Sequence, residues 1–227
     1  MALLIKICGL KTPEALDVAL ESGADLVGFV FFAPSPRSLG PEAARALGAR
    51  VQGRAGKVAL TVDATDDALL DIVNALKPDM LQLHGTETPE RVAVVRSRFG
   101  LPVMKALPIA ERGDLSPIRL YDKVSDRLIF DARAPQDATR PGGLGKPFDW
   151  TLLQGIDAAI PFMLSGGLDA GNVAEAIRIT GASGVDVSSG VERAPGEKDL
   201  DKIRAFIRAA RAADVLPLGA SDIVSSA

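Results

Sequence analysis

Apolar residues fall into two alternating patterns along this chain. Short continuous runs rich in Val, Ile, Leu and Phe have the composition of strands buried on both faces, whereas the stretches between them repeat apolar residues at three- and four-residue spacing, as one-sided helices do. Eight runs read as strands: Leu3–Cys8, Asp25–Phe31, Lys57–Val62, Asp79–Leu83, Leu101–Ala106, Arg127–Asp131, Ile160–Leu164 and Gly184–Val187. Helices are predicted at about 13–22, from Pro41, at 66–76 with Leu69, Leu70, Ile72, Val73 and Leu76 on the apolar side, from Thr88, around Trp150, at 172–180 and at 199–213. Pro117 limits the helix expected within 114–124 to a short one. Thr12-Pro13-Glu14 and Thr88-Pro89-Glu90 open two helices in the same way, with a capping hydroxyl, a proline in the first turn and a carboxylate at the positive end.

A strand followed by a helix, repeated along the chain, predicts an α/β fold with a parallel sheet covered by helices. The simplest closure is a single-domain (β/α)₈ TIM barrel over residues 1–213, with a tail at 214–227 whose pattern fits no element. An open doubly wound sheet is the alternative.

Composition narrows the class of partner. With 26 Lys and Arg against 29 Asp and Glu, evenly spread, and a net charge of -3, the chain offers no basic face, so neither nucleic acid nor membrane is an expected partner. A lone cysteine forms no internal disulfide, the first apolar run is broken by Lys6, and no run approaches the roughly 20 apolar residues of a membrane helix. A cytoplasmic protein is expected.

The chemistry-bearing residues stand at strand ends, where a barrel builds its active site. Ser165-Gly166-Gly167 follows strand seven and Ser188-Ser189-Gly190 follows strand eight, with a short helix predicted from Ser188. Either turn alone is equally well a tight turn. Together, with backbone amides able to approach an anion, they point to phosphate and rule in favour of the closed barrel. Gly142-Gly143-Leu144-Gly145-Lys146 lacks the spacing of a nucleotide loop and reads as a lid or binding loop within 134–147. Asp131 ends an apolar strand and must be functional, paired with Arg133 or used as a loop cap. Arg37, beside Pro36 and Ser38, is either a carboxylate grip or a solvated loop arginine. His84, the only histidine, is read as pocket lining or as a structural hydrogen-bonding group, not a metal ligand. Asp186 points to the barrel mouth or to a backbone partner. Cys8 by itself reads as a small buried hydrophobe.

In order, Lys6-Ile7-Cys8-Gly9, Gly28-Phe29-Val30-Phe31 leading to Ser35-Pro36-Arg37, Gln82-Leu83-His84-Gly85, Phe130-Asp131-Ala132, Gly142 to Trp150, Ser165-Gly166-Gly167-Leu168 and Gly184 to Glu192 resemble phosphoribosylanthranilate isomerase, from about Leu4 to Ala213. The resemblance implies a barrel of tryptophan biosynthesis that isomerises N-(5-phosphoribosyl)anthranilate by an Amadori rearrangement, with no cofactor and no metal; monomer and homodimer both stay open. It implies Cys8 as general base, Asp131 as general acid, Arg37 as the grip on the anthranilate carboxylate, and Gly166, Gly167, Ser188, Ser189 and Gly190 as phosphate-binding residues; His84 and Asp186, from their places at strand ends, are taken as further substrate-binding candidates. Thr61-Val62-Asp63 departs from the family pattern, and no role is assigned to Asp63. The alternatives are the related isomerase of histidine biosynthesis, which carries aspartate where Cys8 stands, and a barrel that binds a sugar phosphate without turning it over.

Overall fold

A computed structural model describes residues 2–135, 137–138, 140–143, 145 and 147–215. Eight parallel strands close into a barrel in sequence order: β1 (Leu4–Cys8), β2 (Leu26–Phe31), β3 (Gly56–Thr61), β4 (Met80–Leu83), β5 (Val103–Ile109), β6 (Arg127–Ala132), β7 (Phe162–Leu164) and β8 (Gly184–Val187). The seam is the pairing of the first strand with the last, with Lys6 opposite Asp186 and Ile7 opposite Val187. Helices α1 (Pro13–Glu21), α2 (Pro41–Val51), α3 (Asp66–Leu76), α4 (Pro89–Phe99), α5 (Ile118–Tyr121), α6 (Val173–Thr180) and α7 (Leu200–Val215) surround it. The predicted caps form: the hydroxyls of Thr12 and Thr88 accept the amides of Ala15 and Arg91.

Successive strand residues point to opposite sides of the barrel wall, and this divides the core. Ile5, Ile7, Val27, Phe29, Leu81, Leu128 and Phe130 face outward into the layer shared with the helices. Met104, Ala106, Ile129 and Met163, with Leu4, Leu26 and Met80 against them, fill the inside. The outward face of the wall is mostly apolar, with Lys105 its charged exception, and the inner face carries Lys6, Gln82, Asp131 and Asp186, all buried.

Several expectations shift. β7 begins at Phe162, not Ile160, because Pro161 has no N–H to give and contributes only its carbonyl, which accepts from Leu128. The helix around Trp150 is a single 3₁₀ turn, Trp150–Leu153, and the segment with Pro117 splits into a 3₁₀ turn, Arg112–Leu115, and α5. The helix predicted from Ser188 is one 3₁₀ turn, Ser189–Val191; an unpredicted hairpin, β9 (Glu192–Ala194) with β10 (Glu197–Lys198), follows it. Leu70, expected in the core, is 47% exposed. The last helix runs through Val215 rather than ending at Ala213, and residues 216–227 of the expected tail lie outside the described residues. Arg211 on α7 donates to the carbonyl of Leu3 and pairs with Asp25, tying the last helix to the first strand.

Candidate active site

Alternation along β1 brings Lys6 and Cys8 to the inner face, one above the other, at the end of the barrel where the strands terminate. Lys6 Nζ donates to Asp186 Oδ1 at 2.8 Å across the seam. Gly28, opposite Cys8 on β2, leaves the space both need: a Cβ there would stand 2.9 Å from Cys8 Sγ and 3.1 Å from Lys6 Nζ. Burial would lower the Lys6 ammonium, but the Asp186 carboxylate beside it reverses the sign and holds it above the ordinary lysine range. Burial pushes the Cys8 thiol up; the Lys6 ammonium opposes that, and the Asp186 carboxylate adds to it.

Asp131 ends β6 on the same inner face. Its Oδ2 lies 3.2 Å from His84 Nε2, and its Oδ1 accepts the amide of Ala132. Gln82 turns its amide nitrogen to His84 Nδ1 at 3.0 Å, so Nδ1 accepts and the ring proton on Nε2 donates to Asp131. Arg133 is not the partner of Asp131; it pairs with Asp114 and Glu111. Asp186 is held by side chains rather than by a backbone partner, accepting from Lys6 and from Ser165 Oγ at 3.2 Å.

Arg37 is only 4% exposed, which overturns the solvated-loop reading. Its Nε and Nη2 donate to the two carboxylate oxygens of Glu192, each at 2.7 Å, in a bidentate fork. The Nη1 edge is turned toward Gly143, where a Cβ would come within 2.7 Å of it. Lys198 Nζ donates to Glu192 Oε1 at 2.9 Å and to the carbonyl of Ser188 at 2.8 Å. Burial works against the Glu192 charge, but the hydrogen bonds from Arg37 and the ammonium of Lys198 more than offset it and keep the carboxyl low. Burial also lowers Lys198, with Glu192 opposing.

The two glycine turns face each other across the mouth. Gly166 and Gly167 have φ of +86° and +67°, and a Cβ at Gly166 would sit 2.5 Å from the amide nitrogen of Ala132. A Cβ at Gly190 would overlap the carbonyl oxygen of Leu168. No protein acceptor among the described residues takes the amides of Gly166, Gly167, Ser189 or Gly190. Cys8, Arg37, His84, Asp131, Gly166 and Gly190 all line one cavity of about 370 Å³. Asp186, Gly167, Ser188 and Ser189 line it too, so every candidate residue meets there. From the loop predicted as a lid, Gly142 comes up against Asp131 and His84, and Gly143 against Arg37. Among the described residues no three His, Cys, Asp or Glu side chains gather as a metal site.

Lys6, Gln82, Glu192 and Lys198 were not singled out from the sequence as site residues. A signal existed for the first two: each is a polar residue inside an apolar strand at the same parity as a site residue, Cys8 or His84. Asp63 has a local role, capping the turn after β4 by accepting from Thr86 N–H and Oγ.

A closed (β/α)₈ barrel with its buried acid and thiol at the strand ends and paired glycine turns after strands seven and eight has the layout of barrel enzymes that act on phosphorylated small molecules. The family model for N-(5'-phosphoribosyl)anthranilate isomerase matches residues 5–209. An N-(5'-phosphoribosyl)anthranilate isomerase from Bradyrhizobium sp. (strain ORS 278) is 63% identical over 216 residues, covering 95% of this chain and 99% of that one. One from Nitrobacter winogradskyi is 63% identical over 214 residues, 94% of this chain and 95% of the other. Among solved structures, phosphoribosyl anthranilate isomerase from Thermotoga maritima superposes with a TM-score of 0.84 at 34% identity, covering 92% of this chain and 99% of that one. A phosphoribosyl anthranilate isomerase in complex with reduced 1-(o-carboxyphenylamino)-1-deoxyribulose 5-phosphate gives a TM-score of 0.78 at 31% identity, with the same coverage. The chain belongs to the N-(5'-phosphoribosyl)anthranilate isomerase family and is an isomerase.

Proposed function

We propose that the barrel, as one catalytic domain over residues 1–213, carries out the Amadori rearrangement of N-(5-phosphoribosyl)anthranilate to 1-(2-carboxyphenylamino)-1-deoxyribulose 5-phosphate with Asp131 as acid and Cys8 as base. The observation that carries the assignment is the convergence of a thiol, a carboxyl group, an arginine and two amide-bearing glycine turns on one cavity. The sugar phosphate docks on the amides of Gly166, Gly167, Ser189 and Gly190 together with the Ser188 turn. The aromatic carboxylate meets the Nη1 edge of Arg37, with His84 and Asp186 as flanking groups.

The chemistry then follows from what each step needs. The furanose opens when its ring oxygen takes a proton, and Asp131, steadied on one oxygen by His84, delivers it. The open form is an iminium whose C2 proton has become acidic. Cys8 removes that proton, and the resulting enolamine takes up a proton at C1 while its 2-hydroxyl gives one up, which yields the amino ketone. In the free enzyme burial keeps the thiol protonated. When the iminium forms, its charge, added to that of Lys6, drives the thiol proton out to solvent and leaves the thiolate that accepts the C2 proton.

Localisation in the cytoplasm and a monomeric or homodimeric state accord with this role; among the described residues no helix is long and apolar enough to cross a membrane. The test is turnover with freshly generated substrate. Cys8→Ala and Asp131→Asn should each lower kcat by at least about 10²-fold, the lower range for general acid–base catalysis, with circular dichroism and Tm unchanged. The double variant should lose far less than the product of the two effects, since the groups act as a unit. Near-normal turnover in a folded Cys8→Ala protein would overturn the assignment.

A further inference from the structure

Three charges lie in series behind the cavity wall. Arg37, from the loop after β2, grips Glu192 of β9 with two hydrogen bonds, and Lys198 of β10 grips the same carboxylate from the other side. The three side chains are 5%, 5% and 3% exposed. Lys202 holds the carbonyl of Glu192, and Gly196 gives its amide to Glu192 Oε2.

A bidentate arginine–carboxylate pair has no net charge. A second carboxylate approaching the far edge of Arg37 would feel the guanidinium attenuated by the Glu192 charge behind it, in a site where burial weakens screening by water and salt. The Lys198 ammonium changes that balance and leaves the cluster with one net positive charge.

We propose that Lys198 is a positioning and specificity-determining residue for the isomerase: it neutralises Glu192, so that Glu192 can fix the orientation of Arg37 without cancelling the positive charge Arg37 presents to an aromatic carboxylate. The inference rests on the reading of Arg37 as the carboxylate site given above. It gives the hairpin β9–β10 a task, since its two strands carry the Glu192 and Lys198 that together hold and charge a residue 155 positions earlier in the chain. A second contact adds to it. Lys198 also holds the carbonyl and the hydroxyl of Ser188, so one ammonium touches the turn assigned to the phosphate as well as the support of the arginine assigned to the carboxylate.

The experiment compares two probes in wild type and variants: the reduced product analogue 1-(2-carboxyphenylamino)-1-deoxyribitol 5-phosphate and its counterpart lacking the ring carboxylate. The readout is the ratio of their Kd values, which a general loosening of the hairpin or of the phosphate turn would leave alone because both probes would weaken together. Lys198→Gln should cut the preference for the carboxylated probe by at least about tenfold. Glu192→Gln/Lys198→Gln, which restores one net positive charge with two amides, should recover most of it. An unchanged ratio in Lys198→Gln, or a double variant no better than the single, overturns the proposal. Should Lys198→Gln fail to fold, Lys198→Arg and the double variant carry the test: both keep the net charge and must hold the ratio within about threefold of wild type, and a tenfold fall in either overturns the idea. Arg37→Ala separates the two readings. If it leaves the ratio intact, the carboxylate site itself is wrong; if it abolishes the preference while Lys198→Gln does not, only the role of Lys198 falls.

Discussion

Cys8 is surrounded by features that pull its proton in opposite directions. Burial and Asp186 hold the proton on, and Lys6 works to release it, with burial dominating. A folded-state pKa above the unfolded value means that the native protein binds this proton more tightly than the unfolded chain does. The associated stability is fully present below the free thiol value of about 8.5 and is lost as pH rises through the higher folded value. Urea unfolding of the wild type should therefore show a loss between about pH 8 and about pH 10 that is smaller in Cys8→Ala. Equal alkaline losses in the two proteins would mean that the thiol titrates normally. The same reasoning predicts slow alkylation of the free enzyme near neutrality, because the thiolate is the reactive form.

At the scale of the elements, β5 carries a second buried lysine with a different purpose. Lys105 faces out of the barrel into the helix layer, where its ammonium meets Glu87 at 2.7 Å, the carbonyl of Gly85 at 2.7 Å and the ring of Tyr121 on α5. Glu87 in turn accepts the amides of Asp63 and Gly85, so the pair joins the turns after β3 and β4 to β5. Lys105→Met would leave Glu87 buried without its cation, and denaturant unfolding should report a loss of about 3–5 kcal/mol. A loss below about 1 kcal/mol would show that the pair behaves like a surface ion pair. β1 to β8 were legible because each is a run of apolar residues, and α1 and α4 because Thr, Pro and Glu mark their starts. β9 and β10 were not, because strands of three and two residues are too short to show a period and hold through side chains rather than apolar packing. Cys8, Asp131 and the glycine turns were legible as strand ends. The reach of Glu192 to Arg37 and of Lys6 to Asp186 was not, since pairs separated by 155 and 180 residues leave no mark in local pattern.

For the whole molecule, the proposed phosphate cradle links ligand to fold. Inorganic phosphate, bound by the native barrel and not by the unfolded chain, should raise Tm, with about 2.7 kcal/mol gained at one hundred times Kd. Gly166→Ala should abolish that shift, since the added methyl meets the backbone of Ala132 in a conformation at φ +86° that alanine resists. An undiminished shift in a folded Gly166→Ala protein would move the anion elsewhere.

The seam between the first and last strands also sets an order in time. Lys6 leaves the ribosome 180 residues ahead of Asp186, the carboxylate that makes its burial tolerable, and the helix bearing Arg211, which clasps Leu3 and Asp25, comes later still. Until then the ammonium must stay in water, because an unpaired charge costs too much to enclose. A nascent chain lacking its last strand therefore keeps the interior of β1 hydrated, and Cys8 remains an ordinary exposed thiol. Sealing the barrel and drawing the thiol out of water are the same event, and that event waits for the eighth strand to be made.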